Sequence, residues 1–228
     1  MADENPFSDI EGTLKRSAAA LREAGIPFLL GGSLASWARG GPETRHDLDL
    51  MIREQDVEAA LQALERAGMR RDDPPEEWLV KAWDDDVLID LIFHPKGMPI
   101  TDEVIARGEE MAVLSMEMRV MALEDVIATK LLSISEHHLR YETLLAMSRA
   151  LREKVDWRQV RERTGSSPFA RAFFVLLDGL GIVSTEEIER PDPAAGEPSE
   201  RPAGAEPSGA TIRVLTDPAS GSAARVAG

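Results

Sequence analysis

The stretch GGSLASWARGGPETRHDLDL, Gly31 to Leu50, puts a glycine-glycine-serine turn ahead of two aspartates separated by one residue. Gly31 and Gly32 follow the apolar run Phe28, Leu29, Leu30 and precede a helix-compatible segment. The backbone there can turn sharply and bring its N–H groups and the Ser33 hydroxyl close to an anion. Further on, Asp47 and Asp49 flank Leu48, and residues two apart on an extended strand point to one face. Two carboxylates on one face suit a hard divalent cation, which is commonly held by one or two protein carboxylates, waters and substrate phosphates. Either piece alone is a weak signal: a Gly-Gly pair is usually only a turn, and among 41 acidic residues a D-x-D is often a solvated edge.

A third acid strengthens the pattern. In DVLIDLIFHP, Val87, Ile89, Leu91 and Phe93 share one strand face, and Leu88, Asp90 and Ile92 share the other. Both faces are otherwise apolar, so an ionised Asp90 needs a metal or a cationic side chain such as arginine beside it.

Working outward, residues 9–24 carry Ile10, Leu14, Ala18 and Leu21 on one helical face and end at Gly25. A strand over Phe28 to Leu30 and a helix over Ser33 to Ala38 follow, and Pro42 sits in the loop before the D-x-D strand. Residues 56–67 form a helix whose Val57, Leu61 and Leu64 face inward. EWLVKAW and DVLIDLIF read as two strands around a turn at Asp84 and Asp85. Strands near Ala112 to Leu114 and Glu117 to Met121 precede MALEDVIATKLLSI, where Leu123, Val126, Ile127, Lys130, Leu131 and Ile134 keep the helical period. Helices then dominate to about Leu180. The fold class is α/β (α+β): a small mixed sheet flanked by helices, then a C-terminal helical region. Lys130 on an apolar stripe reads either as a side chain snorkelling at its edge or as a residue with a partner.

These residues, GG-S, then T-R-H-D-L-D-L, then I-D-L-I-F, resemble the polymerase-beta-like nucleotidyltransferase superfamily, in its small bacterial minimal and toxin-type (AbiEii-like) branch. The resemblance spans about Gly25 to Leu180. It implies a metal-dependent nucleotidyltransferase (EC 2.7.7 type) that moves a nucleoside monophosphate from an NTP such as ATP to a hydroxyl and releases pyrophosphate. It implies that Gly31, Gly32 and Ser33 hold the triphosphate and that Asp47, Asp49 and Asp90 bind two Mg²⁺ ions, with Mn²⁺ as the alternative. Asp90 would also serve as base for the acceptor. E-D-x-I-A-x-K-L further resembles the helix whose lysine, here Lys130, reaches the triphosphate. The implied acceptor is a small molecule such as an antibiotic, a protein side chain, or a tRNA 3′ end as in toxin-type relatives. One departure stands out: relatives open the next helix with an arginine-aspartate pair, and here the stretch is Leu139, Arg140, Tyr141, Glu142. A domain that keeps the fold as a nucleotide- or partner-binding module without turnover is the alternative.

At 228 residues and 43% apolar content the chain can build a real core. It has no apolar run of membrane-spanning length and no signal-peptide pattern, so a cytoplasmic location is expected. The absence of cysteine excludes disulfides and thiolate metal sites, and four histidines make zinc chemistry a poor fit. The net charge of −15 argues against a surface that grips nucleic acid throughout, although residues 130–171 carry nine basic side chains against five acidic ones. Trp157 is read as a packing residue. From about Arg190 the chain is rich in proline, glycine, alanine and glutamate and reads as a disordered tail. The expected division is thus a catalytic domain over 1–121, helices over 122–189 and the tail over 190–228. Composition does not reveal the preferred base or the oligomeric state.

Overall fold

The computed structural model describes residues 8–42, 48–72 and 74–189, so Asp47 and the tail expected over 190–228 lie outside the described residues. The chain opens with α1 (Ser8–Glu23), β1 (Phe28–Leu30), α2 (Gly32–Trp37) and β2 (Leu48–Ile52). A single 3₁₀ turn then leads into α3 (Val57–Arg66), β3 (Arg70–Asp72), β4 (Leu79–Asp84) and β5 (Val87–Ile92). After α4 (Asp102–Ala106) come the hairpin β6 (Glu109–Val113) and β7 (Met116–Val120), and then α5 (Leu123–Ser133). The helices α6 (Glu142–Leu151), α7 (Trp157–Thr164), α8 (Pro168–Gly179) and α9 (Thr185–Glu189) complete it.

All seven strands form one mixed sheet in the order β3-β4-β5-β2-β1-β7-β6. β2 runs parallel to β5 and antiparallel to β1, and β1 runs parallel to β7. The central strands are apolar because they are covered: Leu29, Leu30, Leu48, Leu50, Ile52, Ile89 and Leu91 are all fully buried. Helix α1 buries Ile10, Leu14, Ala18 and Leu21 as its period requires, and Gly25 at φ +69° ends it, with Ile26 N–H donating to the Leu21 carbonyl at 2.9 Å. The sheet is the mixed one expected, with the short β3 added to the six strands read from the sequence. The short β3 and α4 were not foreseen; three to five residues carry too little period to be recognised.

The β4–β5 turn falls one residue later than expected, on Asp85 and Asp86, with Asp85 at φ +52°. Asp84 is drawn into β4 because its buried carboxylate accepts from Thr13 Oγ1 at 2.6 Å and from Arg16, both on α1. EWLVKAW likewise becomes a strand only at Leu79, leaving Trp78 in the turn before it.

Helix α5 packs against α2, α6, α7 and α8, and so carries the C-terminal helices. Its Asp125 is fully buried between Arg107, at 3.0 Å, and Arg163 of α7. Such a buried ionic cluster specifies one docking of the helices, since losing either arginine would leave a buried carboxylate undercompensated. Trp157 is buried, donates Nε1–H to the Arg152 carbonyl at 3.0 Å and meets Phe174 edge-on, which is the packing role read from its sequence. No helix among the described residues is long and apolar enough to cross a membrane.

Asp156 caps α7 by accepting from the backbone N–H groups of Arg158 and Gln159, both at 3.1 Å. The Gln159 side-chain hydrogen bond, together with those backbone donors, holds its carboxyl below the ordinary carboxylate range. A carboxyl depressed on folding stabilises the native state above its unfolded pKa of about 3.9 and loses that contribution as pH falls below it. Asp156→Ala should cost about 1 kcal/mol, read as a few degrees in melting temperature at pH 7, with the deficit shrinking toward pH 3.

Candidate functional site

The site begins where β1 ends. Leu30 is held on one side by Met121, whose N–H donates to its carbonyl at 2.8 Å, and Gly31 on the other side donates to the Asp49 carbonyl at 2.9 Å. The turn is therefore pressed flat against β2, and only glycine fits. A Cβ on Gly31 would lie 2.3 Å from Met51 Cε, and one on Gly32 would lie 1.6 Å from Asp49 Oδ2. Gly32 also has φ +57°, a left-handed conformation that side chains disfavour. The two glycines thus do more than turn the chain: they let its backbone touch the carboxylate.

Ser33 follows in the first turn of α2, and Lys130 of α5 reaches across to it, Nζ donating to Ser33 Oγ at 3.2 Å. Lys130 is half-buried on its stripe, with Ser33 as a hydrogen-bond partner. A lysine and a serine from residues 97 apart in the chain meet beside the glycine turn.

Asp49 and Asp90 stand directly opposite each other on the parallel strands β2 and β5. Paired residues on adjacent strands share a face, so the two carboxylates are neighbours. Asp90 is 8% exposed, and Lys81 of β4, its antiparallel partner, donates to Asp90 Oδ1 at 3.0 Å. The cation beside Asp90 is thus a lysine on the adjoining strand. The sequence held the signal in the alternation of LVKAW, but the pairing depends on the turn: with Asp84 and Asp85 at the tip, Asp90 would face Leu79 instead.

Asp47 lies outside the described residues, and among the described residues no three acids or histidines gather closely enough to hold a metal. The donor set that is described nevertheless fits a hard cation. Two carboxylates side by side repel unless positive charge lies near, and Lys81 already supplies one such charge to Asp90.

A cavity of about 480 Å³ opens beside these residues. Gly32, Asp49 and Lys130 line it, and so do Trp78, His94 and Lys96. The last three were missed in the sequence because they sit in turns, where no periodicity marks a facing direction. Glu142, at the point where relatives differ, is exposed on the first turn of α6 and does not line the cavity. Its neighbour Tyr141 is structural: the hydroxyl donates to the Phe169 carbonyl at 2.9 Å, the ring stacks on Phe173, and burial pushes its pKa up. His137 is exposed and contacts Glu136, away from the cavity lining.

A family model described as a nucleotidyl transferase of unknown function (DUF2204) matches residues 11–171. The chain belongs to this family of nucleotidyl transferases. Among curated proteins none matches it significantly. Among solved structures, ANT(2″)-Ia in complex with adenylyl-2″-tobramycin superposes with a TM-score of 0.55 at 16% identity, covering 73% of this chain and 99% of that one. The solution structure of the antibiotic-resistance factor ANT(2″)-Ia gives 0.53 at 18% identity, covering 76% and 97%. At such identities the likeness is one of fold, and it agrees with the mixed sheet and flanking helices described above.

Gly32→Ala tests the close approach of turn and carboxylate in this nucleotidyl transferase. Its Cβ must displace Asp49, so transfer of label from NTP should fall at least tenfold, with a stability loss of about 1–3 kcal/mol from the strained backbone. Wild-type activity and melting would contradict the geometry.

Proposed function

We propose that the chain transfers a nucleoside monophosphate from an NTP to the hydroxyl of a small acceptor, releasing pyrophosphate. The observation that carries this reading is the meeting, over the central strands of one sheet, of the in-register pair Asp49 and Asp90 with the Gly32, Ser33 and Lys130 cluster. Ser33 and Lys130 bind the phosphate tail of the donor: the lysine supplies charge, the hydroxyl a donor, and the flat glycine turn allows close contact. Asp49 and Asp90, with Asp47, are the residues that would hold Mg²⁺ or Mn²⁺. A divalent ion bound there supplies charge neutralisation of the triphosphate and acidification of the acceptor hydroxyl. Asp90 would also serve as the base for the acceptor proton. Transfer of this kind depends on alignment and charge stabilisation more than on a special nucleophile, so a short chain suffices.

The preference for a small acceptor rests on how the basic residues are used. Of the nine counted over residues 130–171, most are engaged within the chain. Lys130 is on Ser33, Lys154 on the Arg39 carbonyl, Arg152 on Glu153, Arg161 on Glu189, Arg163 on Asp125 and Arg171 on the Gly165 carbonyl. Arg152, Arg161 and Arg163 are paired with carboxylates, which leaves less charge for the phosphates of a tRNA end, the acceptor of a toxin-type (AbiEii-like) transferase, than the count along the chain suggests. The ANT(2″)-Ia complex, with its adenylylated antibiotic, supports the small-acceptor reading by analogy of fold.

The experiment is incubation of the full chain with labelled ATP, GTP, CTP and UTP, with and without Mg²⁺, in the presence of a small-metabolite fraction, protein or total RNA. Label should appear in small molecules and vanish with chelator; label in RNA would favour the toxin-type reading, and label nowhere would favour a non-catalytic module. Asp49→Asn should reduce transfer more than 100-fold while leaving the circular dichroism spectrum intact. Lys130→Ala should weaken NTP binding about tenfold or more, as loss of a charged hydrogen-bond donor implies; a lowered melting temperature with unaltered NTP affinity would make the lysine purely structural.

A further inference from the structure

The cavity lined by Gly32, Asp49 and Lys130 is also lined by side chains of different chemistry, Met51, Ile92, Pro95 and Trp78. Trp78 is unlike the other tryptophans with described contacts. Trp83 donates Nε1–H to Asp72 at 3.0 Å and Trp157 donates to the Arg152 carbonyl, so both are tied into structure. Trp78 is 42% exposed, yet its backbone is clamped: its carbonyl accepts from Phe93 N–H at 3.2 Å and His94 N–H at 3.1 Å. A large exposed ring on a fixed backbone has the form of a binding surface, because burying it against a flat partner recovers apolar area at little ordering cost.

We propose that these side chains form the base-binding part of the donor site, where the nucleobase of the NTP stacks on Trp78 against Met51, Ile92 and Pro95. The proposal rests on the donor reading given above and deepens it. Two features favour the donor over the acceptor as occupant. The same cavity contains Gly32 and Lys130, assigned to the phosphate tail, and does not include Asp90, assigned to the acceptor hydroxyl. Residues suited to a phosphate tail and an exposed indole lining the same cavity of about 480 Å³ match one molecule that carries an anionic tail and a planar ring. These residues offer a ring face, methyl groups and a thioether, and His94, Lys96, Thr129 and Ser133 are polar side chains of the same lining. Stacking is tolerant of base identity because every base has a π-face. The site therefore accepts all four nucleotides with similar affinity.

The test is titration of the full-length chain with Mg²⁺ and non-hydrolysable analogues of ATP, GTP, CTP and UTP, with inorganic tripolyphosphate as the phosphate-only probe, read by calorimetry and tryptophan fluorescence. The four dissociation constants should fall within about tenfold of each other. Trp78→Ala should weaken all four by about 5- to 150-fold, the range for loss of one stacked base, and leave tripolyphosphate unchanged, while Trp78→Phe should retain most of the affinity. Wild-type NTP affinity in Trp78→Ala, with Lys130→Ala still weakening both NTP and tripolyphosphate, would overturn the stacking on Trp78 and leave the transferase reading standing. Equal weakening of tripolyphosphate, or a rise in acceptor KM with NTP affinity unchanged, would also overturn it. Failure of the wild-type chain to bind any NTP would overturn both.

Discussion

Everything at the site depends on how closely the Gly31–Gly32 turn approaches β2. The Gly31 N–H bonds to the Asp49 carbonyl, and Gly32 passes so near the Asp49 carboxylate that a single methyl group would collide with it. That approach fixes Ser33 at the head of α2, and Lys130 can reach Ser33 only because α5 packs on α2. The same turn is tied through Leu30 to the residue after β7, so the sheet's centre and the Gly31–Ser33 turn are one mechanical unit.

The helical region is coupled to this unit by charge as well as by packing. Asp125, five residues before Lys130 on α5, is buried between arginines from the segment after α4 and from α7. The cluster sets how α5 sits between the sheet and the later helices, and so indirectly sets where Lys130 points. Much of the basic character of residues 130–171 is consumed in such internal pairing, which is why a count of charges along the chain overstates the surface available to a nucleic acid.

Long elements with a clear period were legible in advance: α1 buried Ile10, Leu14, Ala18 and Leu21, α3 buried Leu61 and Leu64 and left Val57 half-buried, and α5 buried Leu123, Val126, Ile127 and Leu131 with Lys130 half-buried. Short elements such as β3 and α4 were not legible, since a few residues cannot display a period. The β4–β5 turn slipped by one residue because Asp84 looks like a turn residue until Thr13 and Arg16 are placed beside it. That slip hid Lys81 as the partner of Asp90.

The sequence by itself determined the order of chemistry along the chain: a turn that demands glycine, acids at strand spacing, a lysine on a helical stripe, and no thiol or histidine-rich alternative. These follow from local constraints, namely backbone sterics and the two- and 3.6-residue periods. The tertiary structure alone decided that Asp49 faces Asp90, that Lys81 neutralises it, and that Trp78 lines the cavity with Lys130. Each of those is a contact between residues distant in sequence, set by strand register and helix docking, and no local pattern encodes which residue will stand opposite which.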